Sequence, residues 1–111
     1  MTFKVANSFF DKVPNAVFGV VIVKNFDNDI EYASIKTMLK ENIDNCYKEY
    51  EDKKVKESEN IIPYRDAFLK LNINPNKYMC SIEALITRIS KGNSIPNINS
   101  VVDLGNALSI K

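Results

Sequence analysis

The sequence predicts an α+β fold: one or two short strands followed by about four helices. Three observations predict it. Ala16-Val17-Phe18-Gly19-Val20-Val21-Ile22-Val23 is a nearly unbroken β-branched and aromatic run, of strand length and strand composition. Downstream of it the apolar residues switch to steps of three and four, the helical period. Helix-boundary signals then recur at Pro63, at Asn72 to Asn76, at Gly92 and at Pro96. A strand-rich start followed by a run of helices is the α+β pattern.

Composition bounds the reading. The chain has 111 residues, which is one domain's length. Hydrophobic residues make up 45% and charged residues 26%, an ordinary soluble balance, and the net charge is +1. No strongly basic nucleic-acid-binding composition and no acidic tail is present, although a local basic patch can still be assembled by folding. Histidine is absent, which excludes Ser-His-Asp and Cys-His nucleophile systems and an HExxH metal site within these residues. Cys46 and Cys80 lie far apart with no CxxC. Two isolated thiols make neither a zinc site nor a disulfide framework, so a reduced, cytoplasmic setting is expected, with no metal and no cofactor. The stretch Met1 to Phe10 is interrupted by Lys4 and Asn7 and reads as neither a signal peptide nor a membrane span.

Taken in order, Phe3-Lys4-Val5 is a candidate first strand and Asn7 to Lys12 a loop or a single helical turn. Pro14-Asn15 breaks the chain. The run Ala16 to Val23 then reads as a strand buried on both faces, with Gly19 marking a bulge or a close backbone approach. Such a strand needs neighbours on both edges, and Phe3 to Val5 can supply one at most.

Lys24 to Asn28 is a polar turn, and Asn28 or Asp29 is placed to cap a long helix. Tyr32, Ile35, Leu39, Ile43, Cys46 and Tyr50 give that helix one apolar face. Asp44 with Lys48, Glu49 with Lys53 and Asp52 with Lys56 are acid-then-base pairs four apart, each worth only about 0.3 kcal/mol. The charged run Glu49 to Glu59 reads as a solvated helix end. Pro63 belongs in the first turn of the next helix, with Asn60 as its cap, because its missing N–H has no partner there anyway. Ile61, Tyr64, Phe68 and Leu71 line its inner face. Ser81 is positioned to cap a further helix, with Glu83 in the first turn and Ile82, Leu85, Ile86 and Ile89 inward, and Gly92 ends it. The last helix starts at Asn97 or Asn99.

That last helix holds the candidate site. Ile98, Val101, Val102, Leu104 and Leu108 are its apolar residues, and Asp103, Asn106 and Ser109 form a polar line beside them. A mid-helix glycine such as Gly105 costs about 1 kcal/mol relative to alanine, a cost that makes sense where a helix or ligand comes close. Arg65 and Arg88 are the only arginines among 15 basic residues, and each has a lysine nearby, Lys70 and Lys91. A planar guanidinium is suited to phosphate contacts, while salt bridging is the plainer role. Five tyrosines could stack on bases, but Tyr32, Tyr50 and Tyr64 fall on expected core faces. No acid/base pair, no GxxxxGK loop and no GxGxxG is present, so no catalytic residue is assigned.

Pro63-Tyr64-Arg65-Asp66-Ala67-Phe68, Asn74-Pro75-Asn76-Lys77-Tyr78, Ser81-Ile82-Glu83-Ala84-Leu85 and Pro96-Asn97-Ile98-Asn99-Ser100-Val101-Val102-Asp103, with Asn106 and Ser109-Ile110-Lys111, together resemble the tRNA-binding editing module of phenylalanyl-tRNA synthetase β subunits. That module is the third and fourth structural domains of the subunit, and the nearest look is to its free-standing relatives. The resemblance is good from about Ile61 onward, looser over Ala16 to Asn28, and only one of type across the long charged helix. It implies an RNA-binding module for tRNA or aminoacyl-tRNA and, in the synthetase, a pocket that hydrolyses tyrosine wrongly attached to the phenylalanine tRNA. It implies a substrate-binding role for Asn106, with Gly105 and Ser109 beside it. The family's threonine–asparagine pair falls on Gly105 and Asn106, so the amide is kept and a hydroxyl is lost. The pocket's histidine and glutamate lie beyond the stretch compared. The family continues well past the position of Lys111, largely in strands, so these residues are expected to form an N-terminal half of the module. With no nucleotide-binding element, aminoacylation is not expected, and a phenylalanine–tRNA ligase label would be inherited from the larger enzyme. Deacylation would belong to the longer protein. The alternatives are a non-enzymatic small-ligand or protein-binding module, and a scaffold that self-associates through the surface where strands are missing.

Overall fold

Every regular element of the protein is helical in the computed structural model, which describes residues 1–111. The elements are α1 (Asn7–Lys12), α2 (Ala33–Tyr50), a 3-10 turn (Val55–Glu57), α3 (Ile62–Lys70), α4 (Ser81–Ser90) and α5 (Ser100–Ser109). They form a plate of 42 × 42 × 19 Å. Nineteen ångströms is about two helix diameters, and only 14 residues are buried in consequence.

The expected α+β class is therefore corrected. Ala16 to Val23 is extended but forms no sheet. Residues 17–26 neither donate nor accept a hydrogen bond within the chain. Phe3 to Val5 meets this run through aromatic rings rather than backbone: Phe3 and Phe18 lie 6.1 Å apart between centroids, and Phe18 also meets Phe9 and Phe10 edge-on. The run is not buried on both faces either; Val17 is 93% and Val21 87% exposed. Composition reports that a stretch suits a pleated, half-buried surface, not that a neighbouring strand exists.

The helices follow their period more closely. On α2 the predicted face is the observed one. Ile35, Leu39, Cys46 and Tyr50 are buried, Ile43 packs at the edge of the core, and Tyr32 stacks on Phe26 with centroids 5.1 Å apart. The core is completed by Val55, Ile61, Ile86, Ile89, Ala107 and Ile110. The Tyr50 hydroxyl meets the Ser58 hydroxyl at 3.1 Å, which pins the charged loop after α2. Pro63 stands in the first turn of α3, and Gly92 ends α4 with φ 77°, a backbone conformation that favours glycine. Ile61 is fully buried, whereas Tyr64 is 52% exposed and is not a core residue.

Of the expected caps only that of the last helix, at Asn99, is observed. α2 begins at Ala33 with Tyr32 before it, α3 is preceded by Ile61 and α4 by Cys80, none with a side-chain cap. Asn28 instead accepts from the Val101 N–H at 2.9 Å, and Asn99 accepts from the Val102 N–H at 3.0 Å. Two side chains from opposite ends of the chain thus satisfy the orphan donors of α5. The Ser100 hydroxyl donates to the Ile30 carbonyl, and the buried Asp103 carboxylate accepts from the Ile98 N–H at 3.0 Å.

The inner face of α5 is consequently Ser100, Asp103, Ala107 and Ile110, set at helical spacing. Val101 and Leu108, expected on an apolar core stripe, are at least half exposed. Small and internally bonded side chains let α5 sit close on α2, where Asn42 donates its amide to the Ala107 carbonyl at 2.8 Å. No helix is long and apolar enough to cross a membrane.

Candidate nucleic-acid interface

The two arginines have different surroundings. Arg65 on α3 is turned inward. One terminal nitrogen donates to the Glu83 carboxylate at 2.7 Å and to the Pro75 carbonyl at 3.2 Å, and the other donates to the Asn76 side-chain oxygen. Its side chain is 16% exposed and that of Glu83 only 5%. This guanidinium ties α3, the Asn74–Asn76 turn and α4 together, and most of its donors are already used.

Arg88 on α4 is exposed. Its Nε donates to the Ser94 carbonyl at 2.6 Å, which fixes the loop after α4 and orients the guanidinium, while its two terminal nitrogens have no partner within the chain. Lys91, three residues on, shares that helix face. Asn106 reaches the same place from α5. Between them lies an open groove of about 530 Å³, to which Leu85, Met79 and Asn93 also contribute. No carboxylate lines it. Asn106 is half-buried, and its side-chain amide makes no hydrogen bond within the chain, so donor and acceptor are both available.

The structure thus brings Asn106 and Arg88 together and leaves the other candidates outside. Gly105 and Ser109 lie on the exposed flank of α5, joined by a hydrogen bond from the Ser109 hydroxyl to the Gly105 carbonyl at 2.8 Å. A Cβ at Gly105 would meet nothing within 4 Å, so no close approach explains this glycine. The polar line Asp103, Asn106, Ser109 runs outward from core to solvent. Met79 and Asn93 were not singled out by sequence; they flank α4 in loops, and only the fold brings them to α5. Lys91 was visible through its spacing from Arg88.

A wider opening, about 610 Å³, lies between the end of α2 and the loop to α3. It sets four carboxylates, Glu49, Asp52, Glu57 and Glu59, against two lysines, Lys53 and Lys54, so its lining is net acidic and unsuited to a phosphate. Burial, with a smaller contribution from nearby Glu49, pushes the Cys46 thiol above its ordinary value of 9.0, and Cys46 is inert core. No group of three His, Cys, Asp or Glu side chains is arranged to hold a metal ion. Comparison of the chain with protein-family models, with curated proteins and with solved structures finds no match.

Proposed function

We propose that this chain is a cytoplasmic RNA-binding module for tRNA or aminoacyl-tRNA, and that the groove between α4 and α5 is where the RNA is held. The observation that carries the reading is the convergence of Arg88, Lys91 and Asn106 on one open groove free of carboxylates. Arg88 offers a preoriented planar fork for a phosphate and Lys91 a point charge beside it. Asn106 offers an amide that can read a base edge or hold an acyl carbonyl. The resemblance to the synthetase editing module, carried by the residues from Pro63 to Lys111, supports the same ligand.

Binding is the activity assigned to these residues. Hydrolysis of a mischarged aminoacyl ester would need a positioned water and an oxyanion site, and no general base faces the groove. Asn106 would then position the ester rather than break it. The test is binding of tRNA to the protein by fluorescence anisotropy, with free amino acids as competitors. Affinity for tRNA that falls on Arg88→Ala and Lys91→Ala supports the reading. Tight binding of a free amino acid with no affinity for tRNA supports the non-enzymatic ligand-binding alternative instead.

A further inference from the structure

We propose that a base of the bound RNA stacks on Tyr47 of α2, in a second groove beside the first, and that Asp44 makes this subsite select guanine. The inference rests on the RNA reading above and adds a base-reading position to it. The second groove, about 520 Å³, lies between α2 and the end of α4. Asn93 lines both grooves, so they meet at the loop that follows α4. That loop is held in place: the Asn93 N–H donates to the Arg88 carbonyl at 3.1 Å, and Arg88 Nε donates to the Ser94 carbonyl at 2.6 Å. The guanidinium assigned to a phosphate therefore stands at the junction, and Ser94 lines the second groove.

The two grooves differ in chemistry. The second carries one carboxylate, Asp44, and one ammonium, Lys48, so it attracts a phosphate less than the Arg88–Lys91 groove does. It has instead an aromatic wall. Tyr47 is 42% exposed and its ring lies against no other ring of the chain. Ile43 and Ile89 supply apolar surface beside it. Stacking on such a ring accepts every base, so the choice among bases falls to Asp44. Its spacing from Lys48 suggests a salt bridge, yet the ion pairs of the chain all lie elsewhere, and the exposed carboxylate keeps its acceptors. A carboxylate accepts and does not donate. Guanine alone sets two adjacent donors, N1–H and the N2 amino group, on its Watson–Crick edge. Adenine and cytosine put a bare ring nitrogen next to their amino group, and uracil flanks its single N–H with carbonyls, so each brings a lone pair against the carboxylate.

The test is fluorescence anisotropy with the single-stranded RNA pentamers UUGUU, UUAUU, UUCUU and UUUUU, alongside tRNA. The unmodified chain should bind UUGUU about tenfold more tightly than the other three, the scale of a well-formed two-bond base contact. Asp44→Asn should abolish that preference. Tyr47→Ala should weaken every pentamer by about tenfold, and Tyr47→Phe should restore the binding. Both residues are exposed, and an unchanged helical far-UV signal verifies that the variants fold. A UUGUU affinity no higher than the rest, a preference that survives Asp44→Asn, or affinities untouched by Tyr47→Ala overturns this inference, and so do pentamers left unbound at low salt. In each of those cases tRNA binding that still falls on Arg88→Ala keeps the RNA reading itself. Absence of tRNA binding overturns both.

Discussion

Arg65 gives the sharpest prediction, because its structural role competes directly with a role in RNA contact. Arg65→Met removes the partner of a carboxylate whose side chain is 5% exposed and whose second oxygen, Oε2, has no hydrogen-bond partner. An uncompensated buried charge costs about 3–5 kcal/mol. The donors to the Pro75 carbonyl and the Asn76 side chain go with it, at about 1 kcal/mol for each lost bond. Against a total stability of about 5–15 kcal/mol, this is a large fraction. Arg65→Met/Glu83→Leu should recover most of the loss, since replacing both partners of a buried pair by apolar groups is close to neutral. The assay is urea denaturation followed by the helical circular dichroism signal, run as a double-mutant cycle. A midpoint unchanged by Arg65→Met, with tRNA binding abolished, would refute the reasoning and return this arginine to the RNA surface.

Other outcomes follow from single features. Gly105→Ala should stabilise the protein by about 0.5–1 kcal/mol, because the site is helical, open and without strain; a loss of stability in thermal melts would reveal a contact at this turn. Asn28→Ala and Asn99→Ala should each cost about 1 kcal/mol by removing a cap of α5, and Asn28→Ala should leave α2 unaffected in hydrogen exchange. Cys80 should react with a thiol reagent in the native protein while Cys46 reacts only on unfolding. The raised folded pKa of Cys46 means that the native state keeps its proton to higher pH than the unfolded chain. Its contribution to stability is therefore constant below about pH 8, and is lost as the pH rises through the ordinary thiol value towards the higher folded one. Cys46→Val should remove that part of the alkaline slope in urea midpoints.

The amphipathic helices were legible because their signal is local and repeated. Five residues of α2, with Tyr32 just before it, repeat the same face, and α4 does so with Ile82, Leu85, Ile86 and Ile89. The strand was misread because Val17 to Val23 encodes an extended backbone, while a sheet requires a partner that no local pattern names. The inner face of α5 was misread for the converse reason: hydropathy ranks Val101 and Leu108 above Ser100 and Asp103. Yet the latter two are buried because Ile30 and Ile98 satisfy them. Caps were misplaced where Asn28 serves a helix that begins 72 positions later, at Ser100. At the site, Asn106 and Arg88 were each visible from residue type. Their convergence was not, because it depends on how α4 and α5 pack on α2. Two arginines of equal appearance in sequence separate only when Glu83 is seen to claim one of them.

The salt dependence of tRNA affinity tests the central claim most directly. Measured for the unmodified chain, Arg88→Ala and Lys91→Ala, the slope of log affinity against log salt should fall by about 0.7–0.9 for each phosphate contact removed, with helical content unchanged. Slopes and affinities identical across the three proteins, or no measurable tRNA binding at low salt, would contradict it.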